Sequence, residues 1–149
     1  SKLEFPEKAG NTIYYIKFYG KADNHICNKG IRKDIRDAIK KMPCISCGTN
    51  KDIECDHKNS LWMYNDTRIG IKSLQTINDF QPLCKHCNVV KREVDLRTLK
   101  ENKRQPAHSY IISFTEGDET FNKYDPHWYV GTYWGDVAAF KMKLILNPQ

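Results

Sequence analysis

Apolar positions along the chain fall in short runs whose spacing shifts between two and four residues, and those shifts mark out the elements. Ile13-Tyr14-Tyr15-Ile16-Lys17-Phe18-Tyr19 is aromatic and β-branched and ends at Gly20, which predicts a strand. Ile31, Ile35 and Ile39 recur every four residues between Gly30 and Pro43, which predicts an amphipathic helix leading to Cys44. Ile53-Glu54-Cys55-Asp56-His57 reads as a short strand. Residues 58–73 read as a polar loop with turn signals at Asn59-Ser60 and Asn65-Asp66. Phe80-Gln81-Pro82-Leu83 reads as a short extended piece, with Pro82 at an edge. A helix is expected to follow through Asn88, Lys91 and Arg92, and a second helical stretch to hold Leu96 and Leu99 and stop before Pro106. Tyr110-Ile111-Ile112-Ser113-Phe114 predicts a strand closed by the Glu116-Gly117-Asp118 turn. Asp136 is expected to cap a last helix with Val137, Phe140 and Leu144 on one face.

No stretch approaches the roughly 18 uninterrupted apolar residues of a membrane span, and Ser1–Pro6 lacks the apolar core of a secretory leader. The expectation is an intracellular, cytoplasmic protein of prokaryotic or viral origin. The opening at Ser1 rather than Met leaves a complete chain and a fragment both open. With 149 residues, 40% of them hydrophobic and 11% aromatic, the chain suits one compact α+β domain. Lys and Arg number 24 against 18 Asp and Glu, a net charge of +6 and the sign a polyanion-binding protein needs.

Cysteine spacing changes the picture most. Cys44-x-x-Cys47 and Cys84-x-x-Cys87 are paired knuckles of the kind that turns two thiolates onto one tetrahedral ion. Without a secretory leader, zinc is expected rather than disulfides. Four thiolates close the coordination shell, so that zinc is read as structural. His86, inside the second knuckle, is then exposed rather than a ligand. Cys55 is a small core residue, Cys27 carries no signal, and His25, His108 and His127 are surface or packing residues.

Between and after the knuckles come Asp56-His57-Lys58, Asn65-Asp66, and the run Asp79-Phe80-Gln81-Pro82-Leu83-Cys84-Lys85-His86-Cys87-Asn88, with Lys91 three residues on. In this order the chain resembles the HNH, or ββα-metal, nuclease superfamily, and within it the restriction-enzyme branch. The matching segment, residues 44–92, is about a third of the chain, flanked by extensions over 1–43 and 93–149.

The resemblance implies a ββα-metal core and hydrolysis of DNA phosphodiesters to 5′-phosphate and 3′-hydroxyl ends. Asp56 and Asn88 would hold a catalytic Mg²⁺ or Mn²⁺ and His57 would act as general base. Hard oxygen donors suit such an ion, and an imidazole titrating near ~6.5 can take a proton from water. The family's middle Asn falls on Asp79 here. Gln81, then Asn78, are the favoured replacements, bracing the loop and orienting His57, while Asp79 could cap a turn.

Lys58, Lys91 and Arg92 are candidate DNA contacts. The basic run from Lys85 to Arg104 is otherwise an ordinary solvated helix face. The segment from Trp128 to Trp134 is read as core or interface ahead of base stacking. A site-specific type II restriction endonuclease acting on double-stranded DNA as a homodimer is the leading expectation. A nicking, homing or modified-DNA nuclease domain of a larger protein and a non-catalytic zinc module that binds nucleic acid are the competitors.

Overall fold

A computed structural model describes residues 30–146, together with the backbone of two short strands, β1 (Leu3–Glu4) and β2 (Lys17–Phe18). These two pair antiparallel, Leu3 opposite Phe18. β2 lies inside the expected strand Ile13–Tyr19, whose other residues, like His25 and Cys27, lie outside the described ones.

The first helix, α1 (Lys33–Ile39), buries Ile35 and Ile39 as their spacing requires, with Ile31 just ahead of it packed on the same cluster. β3 (Ile53–His57) and β4 (Phe80–Cys84) then form an antiparallel pair, with Ile53 opposite Cys84 and His57 opposite Phe80. Side chains alternate along a strand, so Cys55 and Phe80 share one face. That face packs on Ile35 and Ile39. Asp56 and Gln81 stand opposite each other on the other face. Pro82 sits where its missing N–H costs no ladder bond, since its carbonyl turns away from β3 to accept from Ile45 N at 2.9 Å.

β4 runs directly into α3 (Lys85–Glu101), one continuous helix where two stretches were expected. No Gly or Pro interrupts it, and Lys, Arg, Glu and Leu carry helical propensity through the middle. It stops at Asn102 in the left-handed conformation, φ +53°, with its N–H bonded to the Thr98 carbonyl. The last helix, α4 (Val137–Leu146), is capped as expected: Ala139 N donates to Asp136 Oδ1 at 3.0 Å, and Val137 and Phe140 are buried.

Two expectations are corrected. The polar loop of residues 58–73 contains a helical turn, α2 (Trp62–Asn65), followed by 3₁₀ turns, and it buries Leu61, Trp62 and Ile69. Tyr110–Phe114 is not a strand. That region winds instead around Arg104, whose buried guanidinium donates to the carbonyls of Glu116 and Val130 and lies 4.9 Å over the Phe114 ring. Gly117 (φ +69°) sits so near Arg104 Nη1 that a Cβ would lie 2.5 Å from it, and a Cβ on Gly131 (φ +80°) would lie 2.4 Å from the Glu116 carbonyl. With Ile111 fully exposed, no sheet face exists there for alternating side chains to bury. The whole is a mixed α and β molecule, and among the described residues no helix is long and apolar enough to cross a membrane.

Candidate active site

At the Cys84 end of the β3–β4 pair the two knuckles meet. The sulfurs of Cys44, Cys47, Cys84 and Cys87 all lie within 4.8 Å of one another, and Cys47 and Cys84 are 3.7 Å apart. Four thiolates bound at ~2.3 Å around a tetrahedral ion would stand ~3.8 Å apart, so the donor set fits zinc. Local folding supports this. Gly48 takes φ +78° to close the first knuckle, and the second is the N-terminus of α3, where Cys87 N points at Cys84 Sγ. Burial opposes the Cys44 thiolate, but backbone N–H groups of its own and the second knuckle outweigh it and bring the thiol down to about 6. Leu83, Ile53, Ile45 and Trp134 pack around the sulfurs. His86 is exposed, outside the cluster.

At the opposite end of the strand pair lies a cleft of about 380 Å³, whose walls include Asp56, His57, Asn88, Arg92 and Asp95. Asp56 faces α3, and both hydrogen bonds to its carboxylate fall on Oδ2: one from Gln81 Nε2 at 3.0 Å, one from Lys91 Nζ at 2.7 Å. Its other oxygen has no hydrogen-bond partner among the described residues. Asn88, in the first turns of α3, donates Nδ2 to Glu54 Oε2 at 2.6 Å, which leaves its amide oxygen for another partner. The atoms these two side chains leave unengaged are thus hard oxygens on the walls of one cleft, the donor type a divalent cation takes.

His57 lies on the other face of β3 at the strand end, its ring stacked on Trp62 at 5.6 Å and tilted against Phe80 at 4.9 Å. Burial among these rings holds its pKa below the ordinary imidazole value, against the pull of the Asp56 charge. The ring is therefore neutral at neutral pH and able to accept a proton. Asp95 lines the same cleft, and burial pushes its carboxyl up to about 6.

Other expected site residues are placed differently. Gln81 reaches Asp56 rather than His57, because strand alternation puts it opposite Asp56. Its amide is fixed by the Trp134 carbonyl at 2.9 Å and by Val137 N at 3.2 Å. Asn78 is exposed in a turn away from these contacts. Asp79, where the HNH resemblance puts its middle residue, caps that turn at Thr76 and pairs with Arg68 at 2.7 Å. Lys91 is 1% exposed and is no surface contact for a phosphate. Lys58 is largely buried and pairs with Asp136 at 2.7 Å, while Arg92 stays exposed on the cleft wall. The aromatic run is packing: Trp128 is buried with Nε1 on Asn59 Oδ1 at 3.0 Å, and Tyr133 meets Ser46 at 3.0 Å. Cys55 is a core thiol that burial pushes up to about 12.

Sequence reasoning missed the C-terminal contribution to this site. The segment from Trp134 to Val137 holds Gln81 and Lys58, and so reaches both sides of the Asp56-His57 pair. The Asp136 helix cap was readable, but nothing in the pattern of the sequence ties that cap to residues some 80 positions earlier.

Residues 2–146 match the family described as ICEA Protein. Among curated proteins, the type II restriction enzyme NlaIII of Neisseria lactamica is 37% identical over 124 residues, covering 77% of this chain and 53% of that protein. The chain therefore spans about half the length of that relative. No solved structure matches it.

Proposed function

The chain belongs to the ICEA Protein family, and from that premise we propose that it is a DNA endonuclease of the HNH, or ββα-metal, type. It cuts phosphodiester bonds to 5′-phosphate and 3′-hydroxyl ends with one Mg²⁺ or Mn²⁺ and a histidine base. The observation that carries this reading is the one cleft bordered by Asp56 and Asn88, each with an unengaged oxygen, and by a half-buried His57.

Asp56 and Asn88 are the residues that would hold the divalent ion, whose chemistry is to neutralise the scissile phosphate and the departing oxygen. His57 takes the proton of the attacking water at an imidazole nitrogen, while stacking on Trp62 and Phe80 holds the ring in place. Arg92, exposed at the rim, offers a guanidinium to a backbone phosphate. The Cys44, Cys47, Cys84 and Cys87 cluster would hold a structural zinc, which would tie the first knuckle to β4 and α3.

The named relative favours a type II restriction enzyme on double-stranded DNA, working as a homodimer with one site per chain. The half-length match to that relative favours a second reading, a nuclease domain that nicks, or acts within a longer protein.

Plasmid cleavage with added Mg²⁺ or Mn²⁺, comparing the parent chain with His57→Ala, tests the proposal. Discrete fragments from the parent and a loss on the order of 10²–10⁴-fold in the variant are expected. Nicked circles alone would select the second reading. Binding of DNA without any metal-dependent cutting would leave a non-catalytic zinc module.

A further inference from the structure

The cleft is built from a strand end and a helix that are far apart in the chain, so the distance between Asp56 and Asn88 is set by contacts across the gap. One side chain crosses it at both walls. Lys91 stands three residues after Asn88 on α3, on the same side of the helix. Its ammonium donates to Asp56 Oδ2 at 2.7 Å, to the carbonyl of His57, and to the carbonyl of Lys58 at 3.4 Å. Those acceptors match the three donors an ammonium has. All of them lie at the end of β3 or one residue past it.

A buried ammonium is costly even when paired, and an apolar side chain of similar volume would fill such a space at less expense of stability. The charge must therefore do something packing cannot. Gln81 grips the same carboxylate oxygen at 3.0 Å, and its own amide is held by Trp134 and Val137. Together these contacts fix the Asp56 carboxylate with one oxygen engaged and the other open.

We propose that Lys91 is a positioning residue: its ammonium ties Asp56 Oδ2 and the backbone at His57 to the helix turn that carries Asn88, so that Asp56 presents a single oxygen to the divalent ion. The proposal rests on the nuclease reading above for the identity of that ion. It replaces the surface role that sequence assigned to Lys91, and it predicts an effect on turnover rather than on DNA affinity.

The test compares the zinc-loaded parent chain with Lys91→Gln, which keeps one donor and gives up the charge. Mn²⁺ titration by calorimetry, the electron paramagnetic resonance spectrum of the bound Mn²⁺, and cleavage kinetics are read together. Lys91→Gln is expected to still bind Mn²⁺, with an altered spectrum, because Asp56 remains but is free to turn. Its kcat should fall on the order of 10²-fold, since a misplaced reacting group costs about that much. KM for DNA and the salt dependence of binding should stay at the parent's values.

A raised KM with unchanged kcat and a shallower salt slope would make Lys91 a phosphate contact and overturn the proposal. So would a Mn²⁺ spectrum and kcat both equal to the parent's, which would reduce Lys91 to a space filler. A parent that binds Mn²⁺ but cuts no DNA sinks the nuclease reading instead, and the two Mn²⁺ spectra still decide the clamp. If Lys91→Gln does not fold, Lys91→Arg keeps the charge with a wider head and is read the same way. Its altered spectrum and lowered kcat would support the clamp, and parent-like values would overturn it.

Discussion

The two ends of the β3–β4 pair share β4 and α3 but are built differently. At the Cys84 end four like donors converge within 4.8 Å, packed by Leu83 and Trp134. At the His57 end the donors are unlike, each is held by one atom, and the remaining oxygens border an open cleft. The first arrangement would satisfy an ion completely and leave it nothing to do but hold the chain together. The second would leave positions for a substrate, and its Asp56 is restrained from outside by Lys91 and Gln81. A closed site is made by its ligands; an open one needs Lys91, Gln81 and the C-terminal segment to keep its shape.

The largest effect expected from this contrast is on folding, and it belongs to the closed end. Cys84→Ser removes one ligand and the N-terminal thiol of α3 at once. Structural zinc contributes on the order of 10–16 kcal/mol in finger peptides, comparable to the ~5–15 kcal/mol that stabilises a whole domain. The variant, or the parent stripped by a chelator, is expected to lose its cooperative thermal transition. Zn²⁺, and not excess Mg²⁺, should restore the parent. An unchanged melting curve after zinc removal would break the comparison, since both ends would then be optional to the fold. His57→Ala, by contrast, should cost cutting while leaving the melt close to the parent's.

A smaller and sharper effect is the pH dependence of cleavage. A base at His57, as proposed, must be neutral to act, and burial between Trp62 and Phe80 lowers the His57 pKa. The acid limb of kcat/KM is therefore expected below the ordinary imidazole value of ~6.5, with activity full above it and lost as pH falls through the lowered pKa. Opening the ring stack with Trp62→Ala should move that limb upward toward the ordinary value. A limb at or above ~6.5 in the parent would mean that the Asp56 charge outweighs burial.

What the sequence made legible follows the same divide. Cysteine spacing gave the closed end outright, because two-residue gaps admit few other geometries. The strand Ile53–His57 and the cap at Asp136 were also readable, the first from its β-branched start and the second from an acidic residue before an apolar run. The open end was legible in its donors but not in its supports. The buried stripe of α3 carries Cys87, Lys91 and Thr98, so a search for apolar periodicity broke the helix in two and placed Lys91 outside. Gln81 was found, but its partner was not, because which face a residue takes depends on strand register and not on distance along the chain. The failure at Tyr110–Phe114 has the same root. A β-like run became irregular chain because Arg104, three residues past the end of α3, supplies its tertiary contacts.

The smallest effect expected is one of stability, at Asp95 in the wall of the open cleft. Burial raises its carboxyl to about 6, above the ~3.9 of an unfolded chain, because the attraction of Lys91 and the hydroxyl of Ser60 only partly offset desolvation. The sign follows from which state holds the proton more tightly. Above pH 6 the folded protein carries a carboxylate its surroundings disfavour, and is less stable for it. As pH falls from 6 toward ~3.9 the folded state takes up the proton first, and the penalty disappears. Asp95→Asn is therefore expected to raise the melting temperature at pH 8 by a few degrees, on the order of 1 kcal/mol. The gain should shrink through pH 6 and vanish near pH 4. A variant less stable than the parent at pH 8 would mean that the attraction of the nearby Lys91 charge outweighs burial. The open end would then be held together by its charges, as the closed end is by its sulfurs, and the contrast between them would lose its energetic half.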